Sequence, residues 1–248
     1  MDGVLVAADT CIVHSDGTKT DGPKVGTTFT PNGTYTVANS AEDGNAANTL
    51  AVTILHHLEA NNFPTILQVE RAISDCMTQW WQDFGQRNPP DVQLILGSVM
   101  KRVPRLHFCT PPNTVYQKAD YVGIGTGSRT TDPLVKTLFS GYGFTVRDRL
   151  WQIAYLFYRA KKDEAFCGGS TTPIFLSLDS KLPTYISTEE MAEAERQGPN
   201  FDYFLREMLK ARMAAKDNED LENAIKKLTR EMKFFTMQIT GLRFGLEE

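Results

Sequence analysis

The spacing of apolar positions changes period several times along the chain, and each change marks an element. Val4-Leu5-Val6-Ala7-Ala8 is a short continuous apolar run and predicts a buried strand. Lys24–Phe29 and Thr34–Ala38 predict two more, joined at the turn signal Pro31-Asn32-Gly33. A helical period then takes over. Ala47, Leu50, Ile54 and Leu58 fall on one face of a helix predicted over 45–60, behind a capping-box-like Ser40 and Asp43. Ile66, Val69, Ile73 and Met77 do the same for a helix over 65–84, which Asn88-Pro89-Pro90 stops.

Strand patterns return at Val92–Val99, Arg105–Cys109, Thr114–Gln117 and Tyr121–Ile124. The last runs into the glycine-rich turn Gly123-Ile124-Gly125-Thr126-Gly127, which calls for a positive φ. Helices are expected over 132–139 and 145–163. The second has Asp148 at a capping position and Val146, Leu150, Ile153 and Phe157 along one face. Gly168-Gly169 separates it from a last strand, Pro173–Leu178. Strands grouped on either side of helix pairs predict a layered sandwich with helices outside. A doubly wound sheet would alternate strand and helix one by one.

After Ser180 the composition shifts, and residues 180–248 read as a C-terminal helical extension. Phe201, Phe204, Leu205 and Met208 share a helical face. Leu221, Ile225, Leu228, Met232, Phe235 and Ile239 follow an a/d seam of under three heptads. That seam either docks on its own domain or meets another subunit.

Composition narrows the class. The chain has 248 residues, 41% hydrophobic and 23% charged, with a net charge of -4. These values fit one large domain, or a domain with an appendage, and exclude a disordered or collagen-like chain. No long apolar stretch predicts a membrane span, and MDGVLVAADT has no basic n-region, so a cytoplasmic location is expected. The mild acidity argues against non-specific nucleic-acid binding, so neither nucleic acid nor membrane is expected as a partner.

Candidate chemistry is thin when each residue is taken alone. Cys11, Cys76, Cys109 and Cys167 form no C-x-x-C pair, and His56-His57-Leu58-Glu59 is not H-E-x-x-H, so no metal is expected. The turn at 123–128 departs from G-x-G-x-x-G and lacks the Gly-Lys-Ser/Thr of a phosphate loop, so no nucleotide cofactor is expected. Asp9 reads as a turn or cap residue, Lys24 as a solvated lysine and Cys167-Gly168-Gly169 as a helix end.

Taken together, the same residues resemble a family. Asp2-Gly3-Val4-Leu5-Val6-Ala7-Ala8-Asp9 comes first, then Pro23-Lys24-Val25, then Ala38-Asn39-Ser40-Ala41-Glu42-Asp43. Gly125-Thr126-Gly127-Ser128 and Glu164-Ala165-Phe166-Cys167-Gly168-Gly169 follow. In order and spacing they are similar to proteasome β-type subunits. The chain resembles a divergent bacterial-type proteasome homologue over residues 2–179. This implies an N-terminal-nucleophile (Ntn) hydrolase of class α+β: a four-layer αββα sandwich over 1–179. It also implies peptide-bond hydrolysis on peptide or unfolded protein, no cofactor, and a homo-oligomeric ring or ring-like stack.

The resemblance also assigns roles. Asp9 matches the acid that orients the catalytic lysine, and Lys24 matches that lysine. Thr126 stands where the family has a serine near the N-terminal amine. Glu164 replaces an aspartate and Cys167 a serine, and Asn39 takes the place of the glycine whose N–H stabilises the oxyanion. A threonine hydroxyl needs a base to accept its proton, and in this class the free α-amine serves. A nearby lysine cation lowers the hydroxyl's pKa, and a carboxylate holds that lysine in place. The family's nucleophile opens a strand ahead of the D-G-V segment, whereas Met1 and Asp2 carry no such group. The chain beginning at Met1 is therefore expected not to cleave peptides. Two readings follow: a hydrolase whose Thr, Ser or Cys lies upstream, or a non-catalytic subunit with a structural or binding role in an assembly.

Overall fold

The computed structural model describes residues 3–13, 18–41, 43–84, 89–138 and 145–215, and beyond these 219, 220, 222, 223 and 226–228. The chain opens with β1 (Gly3–Asp9), a short hairpin of β2 (Cys11–Val13) and β3 (Lys19–Asp21), then β4 (Val25–Thr30) and β5 (Gly33–Ala41). Two helices follow, α1 (Gly44–Asn61) and α2 (Ile66–Asp83), then a meander of β6 (Val92–Met100), β7 (Val103–Thr110) and β8 (Thr114–Lys118). The second helix pair is α3 (Gly127–Leu138) and α4 (Val146–Asp163). After it come β9 (Thr171–Ser177), β10 (Thr184–Tyr185), α5 (Thr188–Arg196) and α6 (Gly198–Ala214).

Side-chain caps set the helix starts. Asp43 accepts from the N–H groups of Asn45 and Ala46 at the head of α1. Thr145 and Asp148 form a reciprocal capping box on α4, as the sequence predicts. Ser40 lies inside β5, so Asp43 alone caps α1. At the other end of α1, Asn62 takes a left-handed conformation and its carbonyl and side chain hold Asn32 in the β4–β5 turn.

Strand alternation sorts the core into layers. β4-β5-β6-β7-β8 form one antiparallel sheet and β1-β9-β10 a second. Val4, Val6 and Ala8 of β1, with Ile174 and Leu176 of β9, face Ala38, Ile95 and Val99 of the larger sheet. The opposite face of the larger sheet presents Tyr35, Val37, Leu94 and Leu96 to Leu50, Ile54 and Leu58 of α1 and Ile73 and Met77 of α2. Phe175, from the outer face of the smaller sheet, packs with Leu150 and Ala154 of α4 and Met191 and Ala194 of α5. Each fully buried Leu or Ile here contributes about 1.5–3 kcal/mol. The result is an α+β, four-layer αββα sandwich. At Gly97 the two sheets leave no room for a side chain: a Cβ would sit 2.7 Å from Val6 and 2.9 Å from Val4.

Several expectations change. Tyr121–Ile124 is not a strand: β8 ends at Lys118, and Tyr121 leaves the sheet to bond Thr131 and Asp132 of α3. Val122 and Ile124 still pack between the sheets, so their hydrophobicity signals burial rather than pairing. α3 begins at Gly127 rather than near 132, with Pro133 inside the helix instead of at its start. The hairpin β2–β3 and the two-residue β10 are not predicted by the sequence, and α5 lies within the expected helical extension without a predicted range of its own. Beyond Ser180, Ile186, Met191 and Ala194 join the outer core, and Phe201 of α6 lies against Trp151 and Tyr155. Of the predicted seam, Leu228 is buried. Leu221, Ile225, Met232, Phe235 and Ile239 lie outside the described residues.

Candidate active site

The site gathers where β1 ends. Lys24, just before β4, places its Nζ 2.6 Å from Asp9 Oδ1. The two side chains are only 19% and 13% exposed, so water screens the pair weakly. Asp9 Oδ2 accepts the Gly168 N–H at 3.0 Å, so both carboxylate oxygens are engaged. The turn that supplies that N–H is tied down in turn. Gly169 has a φ of 66°, which a side chain would strain. Thr10 and Ser170 exchange hydrogen bonds at 2.9 Å, and Thr10 Oγ1 donates to Asp21 of β3. The unanticipated hairpin thus clamps the Gly168–Ser170 turn.

Thr126 and Cys167 lie on the other side of this turn. Thr126 Oγ1 and Cys167 Sγ are 3.9 Å apart. Gly127 leaves room for the sulfur, because a Cβ there would lie 3.0 Å from it. Burial pushes the Cys167 thiol pKa up and the Asp9 charge pushes the same way, against smaller opposing effects of Thr126 and Lys24. Cys167 therefore stays a protonated hydrogen-bonding group near neutral pH, not a thiolate nucleophile.

Glu164 and Asn39 occupy different places. Glu164 ends α4, and its Oε1 accepts from Thr130 Oγ1 of α3 at 2.9 Å. It braces α3 against the 164–168 loop and bonds neither Lys24 nor Thr126. Asn39 is buried in β5, and its backbone N–H donates to the Lys24 carbonyl at 2.9 Å. The backbone donor expected at the oxyanion position is therefore spent on the β4–β5 ladder, which leaves the side-chain amide. Among the described residues, no group of three or more His, Cys, Asp or Glu side chains could hold a metal ion.

No family model matches the chain, and no curated protein matches it in sequence. Solved structures do match in shape. The helical assembly of the Anbu complex from Pseudomonas aeruginosa superposes with a TM-score of 0.72 at 14% identity, covering 88% of this chain and 95% of that one. Anbu from Yersinia bercovieri, described as an ancestral β-subunit, gives 0.69 at 12% identity over 83% and 93%. Anbu from Hyphomicrobium sp. strain MC1 gives 0.67 at 14% over 88% and 95%. The fold is that of the Anbu proteins.

Within this Anbu fold, several supporting residues escape a reading of the sequence. Gln93 of β6 accepts the Gly125 N–H at 3.1 Å and so fixes the turn that carries Thr126. Gly125 has the positive φ, 74°, that the turn requires. Gln93 stands opposite Ser40 in the ladder, a pairing that no motif in the sequence announces. Thr10, Asp21 and Thr130 are likewise identified by their contacts, because each is an ordinary polar residue in the sequence.

Proposed function

We propose that the chain is a proteasome-like Ntn hydrolase, a threonine-type peptidase subunit that hydrolyses peptide bonds with a Thr, Ser or Cys delivered beside Lys24. The place of the Lys24–Asp9 pair carries this reading. Among the described residues β1 pairs only with β9, so its other edge offers unpaired backbone groups. A strand laid antiparallel on that edge and joined to the chain ahead of Gly3 would run back along β1. Its first residue would arrive next to Asp9 and Lys24. There the α-amine, with a reference pKa of about 7.7–8.0, would accept the hydroxyl proton. Lys24 would favour the alkoxide, and Thr126 and the Cys167 thiol would hydrogen-bond the amine.

A chain carrying such a strand, beginning with Thr, is expected to cleave a fluorogenic peptide, and changing that Thr to Ala should remove the activity. No cleavage by a correctly folded form would favour the second reading, a non-catalytic subunit. The Asn39 N–H bound to the Lys24 carbonyl supports that alternative, because an oxyanion loses a backbone donor there.

Either reading includes self-association into a ring or ring-like stack. The Pseudomonas aeruginosa Anbu complex is a helical assembly. Here Leu209 and Met213, one helical turn apart on α6, are 65% and 87% exposed. Each such side chain left in water forgoes about 1.5–3 kcal/mol of burial. Light scattering at micromolar concentration is expected to show a homo-oligomer, and a strict monomer would overturn this. All four cysteines are free thiols. Among the described residues no helix is long and apolar enough to cross a membrane.

A further inference from the structure

Behind the site, three side chains from three elements meet. Glu195 of α5 accepts from Lys161 Nζ of α4 at 2.7 and 3.0 Å and from the Thr171 hydroxyl of β9. Lys161 Nζ also donates to Thr171 Oγ1 at 2.8 Å, closing the triangle. Lys161 and Glu195 are 17% and 13% exposed, and Thr171 is buried. Taking such charges out of water is costly, and an apolar set of similar volume is often as stable. The triangle is therefore better explained by what it positions than by stability alone.

What it positions is Thr171, the residue directly opposite Asp9 in the β1–β9 ladder. Opposed residues of an antiparallel pair carry their side chains on one face, with Cβ atoms about 4.5–5.5 Å apart. Just ahead of Thr171 lies the turn whose Gly168 N–H holds Asp9 Oδ2. On its inner side that turn is held by Thr10. On its outer side a cavity of about 570 Å³ opens, bordered by Tyr158, Lys162, Gly169, Ser170 and Ala192 as well as by the triangle. Among the residues that border it, Lys161 and Glu195 supply the polar contacts to Thr171 at the entry to β9.

We infer that Glu195 is a positioning residue for Asp9. Through Thr171, α5 holds the Gly168–Gly169 turn in register, so that the Gly168 N–H stays on Asp9 Oδ2 and Oδ1 stays on Lys24. The importance of that pair rests on the proposed hydrolase reading; the mechanical link does not.

The test is amide hydrogen exchange by NMR, which needs no substrate and so reads the link whether or not the chain cleaves peptides. In Glu195→Ala the Gly168 amide is expected to exchange at least about tenfold faster, while Val6 and Leu176 stay within about twofold. Its proton resonance should move upfield as the bond to the Asp9 carboxylate weakens. Glu195→Gln keeps an acceptor and a donor at the same place, and should return Gly168 exchange to within about threefold of the parent. Thr171→Val keeps the shape and β-branching but removes the bridging hydroxyl. It should reproduce the Gly168 effect, and it decides the matter alone if Glu195→Ala does not fold. Unchanged Gly168 exchange in the folded variants, or equal acceleration throughout β1 and β9, would overturn the inference.

Discussion

Lys24→Ala, in a form that presents an N-terminal Thr, is expected to lower kcat/KM for a peptide by about 10²–10⁴-fold. The size follows from the geometry. The ammonium is fixed by Asp9 at 2.6 Å and is mostly out of water. At about 4 Å and an effective dielectric of about 20, a unit positive charge stabilises a developing alkoxide by roughly 4 kcal/mol. Each 1.4 kcal/mol or so is tenfold, so about three decades depend on this one charge.

Asp9→Asn separates the charge from its placement. The amide oxygen can still accept the Gly168 N–H that Asp9 Oδ2 holds, but the Lys24 ammonium loses its charged anchor. A smaller loss than that of Lys24→Ala is therefore expected. Circular dichroism under assay conditions must show the fold intact in both variants, since removing one member of a half-buried pair also weakens the fold. A folded Lys24→Ala protein that keeps more than about a tenth of the parent rate would remove Lys24 from the chemistry.

The parts of this structure legible in the sequence are those with a strong period and local punctuation. α1, α2 and α4 each bury one stripe and begin at a side-chain cap, and their predicted limits agree closely with the observed ones. The limits of α5, inside the expected helical extension, are not legible because it buries only Met191 and Ala194, too few for a stripe to stand out among its charged residues. The start of α3 was obscured by Gly127 and Ser128, which read as a turn, and by Pro133, which reads as a helix start.

The site was legible only as far as motifs reach. The resemblance singles out Asp9 and Lys24, and the structure brings them into contact. Where Glu164 points depends on how α3 and α4 pack, because its partner Thr130 lies 34 positions away in the chain. The fate of the Asn39 N–H depends on the β4–β5 register, in which Val25 stands opposite Ala38. A shift of one residue would reverse every side chain on that strand, and no single residue type encodes such a register.

Acidification below about pH 6.5 is expected to weaken the fold by up to about 1.4 kcal/mol per pH unit through one side chain, His107. His107 lies in β7 under α2 and is wholly buried. Its Nε2 is 2.9 Å from Glu70 Oε1, while Nδ1 has no hydrogen-bond partner among the described residues. The neutral ring thus fits with Nε2–H donating to the carboxylate. A second proton would place a buried N–H on Nδ1 with no acceptor. Burial is the largest influence and pushes the imidazole pKa below its ordinary 6.5. Arg105 adds to the shift, and the charge and hydrogen bond of Glu70 oppose it without reversing it.

The sign follows from that direction. Above the unfolded pKa both states carry a neutral ring, and the full contribution is present. As pH falls through 6.5 the unfolded chain takes up the proton first, so stability drops until the lower folded pKa is reached. Urea unfolding from about pH 7.5 to about pH 5 should show this slope in the parent. His107→Leu removes the group and should flatten the curve in that window. Glu70→Gln removes the opposing charge, which lowers the folded pKa further and extends the loss to lower pH. Identical pH dependence in the parent and in His107→Leu would show that the buried imidazole does not titrate on unfolding as its surroundings require.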